Sequence, residues 1–285
     1  MMRSLALFVA MLLGCGGHKS EVTELAKEAA TVTDLTADEG GVAWLASGKD
    51  GVELKLLQNH GKPIVVAKGL LFRVALDHDH VFWSDGQGIW RSPRDKVAAD
   101  RIVDLDDIAS TLALDEGYLY WTTPTKAGRI ALSGGAAEDV ATAPEGGRLE
   151  RIAVDVGHVV ASVAVGKSTE LWELDGQPHE LGKYPQDTVN LFLDGDKVLW
   201  SRHSSSSETL ITGLDGHEIA VIAGAAIDAT GGTVYVERDD GTYAVSGGKT
   251  KKLGPRTTQA KVVNGTLYGK FEESGNVIGT IPTSR

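Results

Sequence analysis

The chain has 285 residues, with 28 basic and 39 acidic side chains and a formal net charge of −11. A surface of this sign is repelled by nucleic-acid phosphates and by anionic lipid headgroups. The composition therefore excludes nucleic acid as a partner, and it excludes membrane binding through surface charge.

The first 14 residues predict a lipoprotein signal peptide. Arg3 is followed by an apolar run of nine residues at 5–13, long enough for a signal peptide but well short of the roughly 20 residues that span a bilayer. The segment Leu12-Leu13-Gly14-Cys15 resembles the bacterial lipobox, in which the cysteine receives a diacylglycerol and becomes the new N-terminus. The resemblance implies lipidation of Cys15, the one cysteine in the sequence. An ordinary signal peptide with an incidental thiol is the alternative.

Lipidation would make the protein an exported, membrane-anchored lipoprotein of the bacterial cell envelope. Removal of residues 1–14 takes away Arg3 and no acid, which leaves 27 basic and 39 acidic side chains and a charge of −12. Gly16 stands where aspartate signals inner-membrane retention in Gram-negative lipoproteins, and this resemblance implies the outer membrane. Cys15 and residues 16–20 form a short tether, which at about 3.5 Å per residue reaches under about 20 Å.

After residue 30 the sequence repeats one phrase, an aspartate followed six residues later by a tryptophan. The clear copies are Asp38 with Trp44, Asp77 with Trp83, Asp115 with Trp121, and Asp194 with Trp200. Weaker copies surround Asp155, Asp228 and Asn264, and successive copies are 34 to 40 residues apart. Length alone suggests roughly two domains of about 150 residues, but the continuous repeat predicts one array instead.

Each copy divides into four short strands. In the third copy, residues 111–115, 118–123, 129–133 and 138–142 favour strands, because they are rich in aromatic and β-branched residues and are separated by turns. Gly-Gly or Asp-Gly turns at 133–135, 174–176, 214–216 and 246–248 supply the positive φ angles of tight hairpins. Seven such units predict an all-β protein, a seven-bladed β-propeller with four antiparallel strands per blade over residues 21–285.

The last unit lacks a fourth strand, and the N-terminal segment contains a predicted strand that the first unit does not need. Residues 21–28, EVTELAKE, precede the first inner strand at the place where other units carry an outer strand. We expect this segment to complete the last blade, so that no long edge stays unpaired. An amphipathic helix is the alternative, since Glu24, Leu25 and Lys27 are good helix formers.

The repeated phrase itself is best explained as architecture. We expect the aspartates to accept hydrogen bonds from turn amides and the tryptophans to pack between blades. The segments LYWTT at 119–123 and GRIALSGG at 128–135 resemble the YWTD-type propeller repeat and degenerate copies of it in bacterial lipoproteins. Copies four and seven depart from the pattern, with Ala161 and Lys270 in place of tryptophan. The resemblance implies the fold and no activity.

Residues of catalytic type are few. Residues 77–80, Asp-His-Asp-His, are of metal-binding types, but they occupy a turn at which alternate side chains point apart. The serines at 204–207 form a polar loop, and the chain contains no nucleophile, metalloprotease or phosphate-binding motif. We therefore predict no catalytic residue, no metal ion and no cofactor.

One end of the channel is the best candidate for binding. Four residues before each repeat aspartate, or its equivalent, stand Asp34, Arg73, Thr111, Arg151, Asn190, Gly224 and Ala260. The loops after the second strands, which carry Lys126, His203, Arg238 and Glu272, are expected to surround the same mouth. Arg73 and Arg151, with Asp34 and Asn190, would form a site for a carboxylate, a phosphate or an acidic side chain. Alternatively, these residues bond only to one another and to water.

Two classes of function remain at this point. A non-enzymatic propeller that binds another envelope protein or a small acidic ligand is favoured, because repeat surfaces suit recognition. The alternative is a propeller hydrolase or lyase with its site at the channel mouth, for which a divalent metal held by three or more acidic or His side chains would be diagnostic. We expect a monomer attached to the membrane through its N-terminal lipid.

Overall fold

The structure, a computed structural model, describes residues 22–58, 61–185, 188–202, 207–271 and 276–283. The signal peptide, Cys15 and the tether predicted from the sequence lie outside these residues. Every regular element in the described ranges is a β-strand. The strands form seven four-stranded antiparallel sheets, which confirms the seven-bladed propeller. None of the described residues forms a helix long and apolar enough to cross a membrane.

Blades 1 to 4 each run from an inner first strand to an outer fourth strand. Their strands are β2 (Thr31–Asp38), β3 (Gly41–Gly48), β4 (Gly51–Gln58), β5 (Ile64–Gly69); β6 (Arg73–Leu76), β7 (His80–Ser84), β8 (Gly88–Pro93), β9 (Asp100–Asp104); β10 (Thr111–Asp115), β11 (Tyr118–Thr122), β12 (Lys126–Ala131), β13 (Glu138–Thr142); and β14 (Gly147–Asp155), β15 (His158–Val165), β16 (Ser168–Glu173), β17 (His179–Pro185).

Blades 5 to 7 continue the same order, and the ring then closes. Their strands are β18 (Thr188–Asp194), β19 (Lys197–Arg202), β20 (Glu208–Gly213), β21 (Glu218–Ala223); β22 (Ala225–Thr230), β23 (Thr233–Arg238), β24 (Gly241–Ser246), β25 (Lys249–Gly254); and β26 (Thr257–Val263), β27 (Thr266–Phe271), β28 (Val277–Pro282) with β1 (Thr23–Lys27). First strands of neighbouring blades contact one another, and β26 contacts β2.

The N-terminal strand closes the last blade, as predicted. β1 pairs antiparallel with β28, from Thr23 opposite Thr280 to Lys27 opposite Val277. The helical alternative for this segment is therefore wrong. The pairing satisfies the outer edge of β28 with backbone hydrogen bonds and joins the start of the chain to its end.

The tryptophans pack between blades, which confirms their predicted role. Trp44, Trp83, Trp121 and Trp200 lie on the second strands β3, β7, β11 and β19, and each is at most 3% exposed. Each belongs to an apolar cluster shared with the preceding blade. Burying a large aromatic side chain contributes about 2–3 kcal/mol, so these contacts hold the ring together.

The repeat aspartates accept hydrogen bonds from turn amides, also as predicted. Asp38 and Asp77 cap their own turns, with the Gly40 and His80 amides 2.8 and 2.6 Å from their carboxylates. Three others reach the next blade instead. These bonds join the Gly157 amide to Asp115 (2.9 Å), the Gly195 amide to Asp155 (2.6 Å) and the Gly232 amide to Asp194 (2.7 Å). The repeated phrase thus connects blades 3, 4, 5 and 6 in series.

Asp228 does not occupy the turn position that the sequence alignment gave it. In blade 6, Thr230 pairs with Thr233 across the turn, as Asp115 pairs with Tyr118 in blade 3. The two glycines after Thr230 have φ angles of 58° and 75°, which glycine adopts most easily. They place the turn two residues later than the position of Asp228 had indicated. Asp228 therefore lies inside the channel.

Candidate functional site

The first strands of the seven blades surround a central channel with a volume of about 400 Å³. Its lining includes Asp34, Arg73, Thr111, Arg151, Asn190 and Ala260, six of the seven positions chosen from the sequence. The structure therefore brings the two arginines together with Asp34 and Asn190. It also adds Asp228 and Lys261, which the sequence alignment had not placed in the channel.

Bulges in the first strands aim the polar side chains at the channel. The pairing of first and second strands shifts by one residue between Val32 and Asp34, between Leu149 and Arg151, and between Thr188 and Asn190. An extra residue bends the strand and redirects the side chain that follows it. Blades 2 and 3 have no such bulge before the channel residue, because their first strands begin at that residue, at Arg73 in blade 2 and at Thr111 in blade 3.

Six of the seven blades make a polar side-chain bond to the backbone of the next blade around the channel. The pairs, in order from blade 1, are Asp34 with the Val74 amide (3.0 Å), Arg73 Nε with the Ser110 carbonyl (2.5 Å), Thr111 Oγ1 with the Glu150 carbonyl (3.4 Å), Asn190 Nδ2 with the Ala226 carbonyl (2.9 Å), Asp228 with the Val262 amide (2.5 Å), and Gln259 Nε2 with the Thr33 carbonyl (2.7 Å). We call this set the channel ring.

Arg151 is the exception, in blade 4. Within the described ranges its guanidinium donates no hydrogen bond and forms no ion pair, although it lines the channel with the others. Burial lowers the pKa of Arg151 and repulsion from Arg73 lowers it further, while Asp34 and Glu150 act in the opposite direction. The guanidinium is thus held half-buried with its five N–H donors available.

Asp34 is the acidic group that faces both arginines. Burial raises its pKa above the ordinary value, against the attraction of Arg73, the hydrogen bonds from the Val74 and Leu35 amides, and the weaker attraction of Arg151. The carboxylate is already committed to the two amides, at 3.0 and 3.1 Å. Asp34 therefore neutralises only part of the positive charge of Arg73 and Arg151. An anion bound between the two guanidinium groups would neutralise the rest.

The other residues assigned to this mouth do not join the site. Gly224 is absent from the channel lining, because blade 6 contributes Asp228 there. Lys126 lies 3.5 Å from Asp139 on the outer strand of its own blade, and Arg238 donates to the Ala223 carbonyl at 2.9 Å. Their side chains therefore point away from the channel. The predicted contributions of His203 and Glu272 lie outside the described residues.

The turn at 77–80 is held by its own hydrogen bonds. One carboxylate oxygen of Asp77 accepts from the Asp79 and His80 amides, at 2.8 and 2.6 Å, and is used to hold the turn. Among the described residues, the one group of His, Asp and Glu close enough to share an ion lies in blade 4, at His158, Glu173 and Asp175.

No protein-family model and no curated protein matches this chain, but solved structures do. The WD40 β-propeller domain of Doa1 is 13% identical, with a TM-score of 0.66 over 93% of this chain and 98% of that one. Oligogalacturonate lyase in complex with manganese is 12% identical, with a TM-score of 0.65 over 93% of each chain. BamB from Moraxella catarrhalis is 13% identical, with a TM-score of 0.58 over 89% of this chain and 86% of that one. Identities this low establish the propeller fold alone.

Proposed function

We propose that this protein is a lipid-anchored lipoprotein of the bacterial outer membrane whose propeller binds an acidic ligand, or an acidic segment of another envelope protein, at the channel mouth. The lipobox resemblance at Cys15 and the glycine that follows it support the location. The likeness to propellers of several kinds supports a recognition role, because the fold presents a ring of loops and strand ends around one channel.

The observation that carries the binding proposal is the uncompleted link at Arg151. In six blades the polar side chain of the channel ring bonds to the neighbouring backbone. Among the described residues, by contrast, none accepts a hydrogen bond from Arg151. Arg73 keeps guanidinium N–H groups beyond its bonds to the Ser110 and Phe72 carbonyls. Two guanidinium groups that repel each other form a site for a carboxylate or phosphate, which each can bind through paired hydrogen bonds.

The hydrolase or lyase alternative has no observation of this kind in its favour. The described lining of the channel contains two carboxylates, Asp34 and Asp228, and no imidazole, thiol or serine hydroxyl. The carboxylate of Asp228 accepts from the Val262 amide at 2.5 Å and from Lys261 at 3.1 Å. Both of its oxygens are therefore already used in structural bonds of the channel ring. We therefore favour binding over catalysis.

Arg151→Ala tests the proposal. Partners are captured by crosslinking in intact cells and identified by mass spectrometry, for the wild type, for Arg151→Ala and for the control Lys126→Ala. Lys126 is a cation on the same side of the ring that pairs with Asp139. We expect Arg151→Ala to weaken capture of the principal partner by about tenfold to a hundredfold, because a charge-assisted hydrogen bond contributes about 1.5–3 kcal/mol. Lys126→Ala should leave capture unchanged.

Melting temperatures of the same proteins separate binding from folding. Arg151→Ala removes no bond between described residues, so its melting temperature should match the wild type. Arg73→Ala should lower both capture and stability, because it also breaks the link to Ser110. If Arg151→Ala captures the partner as well as the wild type does, the channel mouth is not the binding site.

A further inference from the structure

Four side chains of blade 4 converge at the end of the sheet away from the channel ring. In the pairing of β15 with β16, Val160 lies opposite Glu173, and in the pairing of β16 with β17, Glu173 lies opposite His179. Residues two apart on a strand point to the same face. His158 therefore lies on the same face of the sheet as Glu173 and His179, and Asp175, in the turn after β16, contacts His158 there.

The distances within this group match those between ligands of one metal ion. His158 Nδ1 lies 3.3 Å from a carboxylate oxygen of Glu173 and 3.4 Å from one of Asp175. All three ligand atoms lie within 4.8 Å of one another. In a tetrahedral zinc site with bonds of about 2.0–2.1 Å, neighbouring ligand atoms are about 3.3–3.4 Å apart. Two edges of the triangle therefore already have the length that a bound zinc ion requires.

The surroundings of the three ligands hold them in place. The second oxygen of Asp175 accepts from the Val159 amide at 3.1 Å. The second oxygen of Glu173 lies 3.3 Å from Nε2 of His179. A hydrogen bond to the outer oxygen of a ligating carboxylate orients it toward the metal. Each carboxylate thus keeps one oxygen directed at His158.

The charge of Glu173 also calls for a cation. Its side chain is buried, and within the described ranges the polar partners of its oxygens are the two imidazoles. Other buried carboxylates of the propeller face an ammonium group, as in Glu28 with Lys55, Glu170 with Lys183, and Asp228 with Lys261. A buried carboxylate without a cation is costly. One divalent ion would balance Glu173 and Asp175 together.

We propose that His158, Glu173 and Asp175 bind one Zn²⁺ ion, with His179 as the hydrogen-bond partner of Glu173 and the fourth position open to water. An imidazole with carboxylates favours a transition-metal ion over Ca²⁺ or Mg²⁺, which prefer oxygen ligands alone. His158 and Asp175 are about a third exposed, at 37% and 35%, so an ion can reach them from solvent. The site departs from the expectation of no metal, and it does not depend on the function proposed for the channel.

Calorimetric titration of the full-length chain with Zn²⁺, after removal of bound metal with a chelator, tests the site. The wild type should bind one equivalent that Glu173→Gln, which keeps the size of the side chain, binds at least about a hundredfold more weakly. His158→Ala should behave in the same way. His179→Ala should weaken binding by about tenfold, the lower range for an outer-sphere partner.

Blade 5 offers a matched control. The same Leu-Asp-Gly turn recurs at 214–216, but Gly213 precedes it in place of Glu173. Asp215→Ala combined with His217→Ala removes the same residue types from an exposed turn and should leave Zn²⁺ binding unchanged. Excess Zn²⁺ should raise the melting temperature of the wild type and of this control but not that of Glu173→Gln. The proposal is overturned if the wild type binds no Zn²⁺, or if Glu173→Gln binds it as tightly as the wild type.

Discussion

Replacing Glu28 by alanine removes the side chain that ties the closing strand to the first blade. Glu28 directly follows β1 and is 6% exposed. Its carboxylate accepts from the Trp44 indole at 3.0 Å and from Lys55 at 2.8 Å, while its own amide donates to the Asn276 carbonyl at 3.1 Å. One residue thus joins the backbone of blade 7 to two side chains of blade 1.

The expected loss follows from these contacts. In Glu28→Ala the indole N–H of Trp44, a residue only 1% exposed, loses its acceptor inside the protein. Lys55 keeps only the more distant Glu53, at 3.5 Å. The loss of two charge-assisted hydrogen bonds, with one donor left buried and unsatisfied, should lower the free energy of unfolding by about 3 kcal/mol. At this chain length that corresponds to a melting temperature lower by about 5 °C.

Glu170→Ala is the matched control, measured by scanning calorimetry beside Glu28→Ala. Glu170 also accepts from an indole and an ammonium group, Trp172 at 3.1 Å and Lys183 at 2.9 Å, but all three residues belong to blade 4. Lys183 is 53% exposed, so this pair contributes about 1 kcal/mol or less. Equal losses in the two variants would refute a special role of Glu28 in ring closure.

The Glu28 contribution should also depend on pH. Burial raises the pKa of Glu28, but the hydrogen bonds from Lys55, Trp44 and the Ala30 amide outweigh it, so that the pKa lies below the ordinary value of 4.5. A lowered carboxyl pKa stabilises the fold above that ordinary value and stops doing so as the pH falls through the folded-state pKa. The stability difference between wild type and Glu28→Gln should therefore be present at neutral pH and shrink below pH 4.5.

Two further predictions concern the membrane attachment and the links between blades. Cys15→Ser should abolish labelling with a radioactive fatty acid and move the protein from the membrane fraction to the soluble one, and unchanged partition would contradict the lipoprotein proposal. Asp155→Ala removes the acceptor of the Gly195 amide in the next blade and should cost about 1.5 kcal/mol in urea unfolding. Asp196→Ala, in the exposed part of the same turn, is its control, and an equal loss there would show that the link between blades contributes nothing.

The fold was predictable because the repeat is redundant. Four copies with aspartate six residues before tryptophan set the blade length, and the glycine turns set the hairpins. The alignment failed at Asp228, where two consecutive glycines place the turn and the carboxylate does not. The short repeated motif cannot show whether the aspartate or the glycine pair marks the turn, because the turn position is set by the pairing of the first strand with the second.

The candidate sites were predictable only in part. Counting back from the repeat aspartates located Arg73 and Arg151 in the channel, but the bulge before Arg151 that directs its side chain is a property of strand pairing. The group at His158, Glu173 and Asp175 spans two hairpin strands and a turn. Its members come together because Val160 pairs with Glu173, and no spacing in the sequence indicates that register.

Departures from the repeat locate candidate function better than the repeated phrase does. Blade 4 is a weak copy, with Ala161 where four of the other blades carry tryptophan. Trp172, directly opposite Ala161 in the strand pair, supplies the missing bulk. This blade also holds Arg151, at the gap in the channel ring, and the four side chains around Glu173 at its other end. Residues shared by all copies stabilise every blade alike, whereas a binding site on a ring needs one blade that differs. Blade 4, which lacks the repeat tryptophan, thus carries both candidate sites.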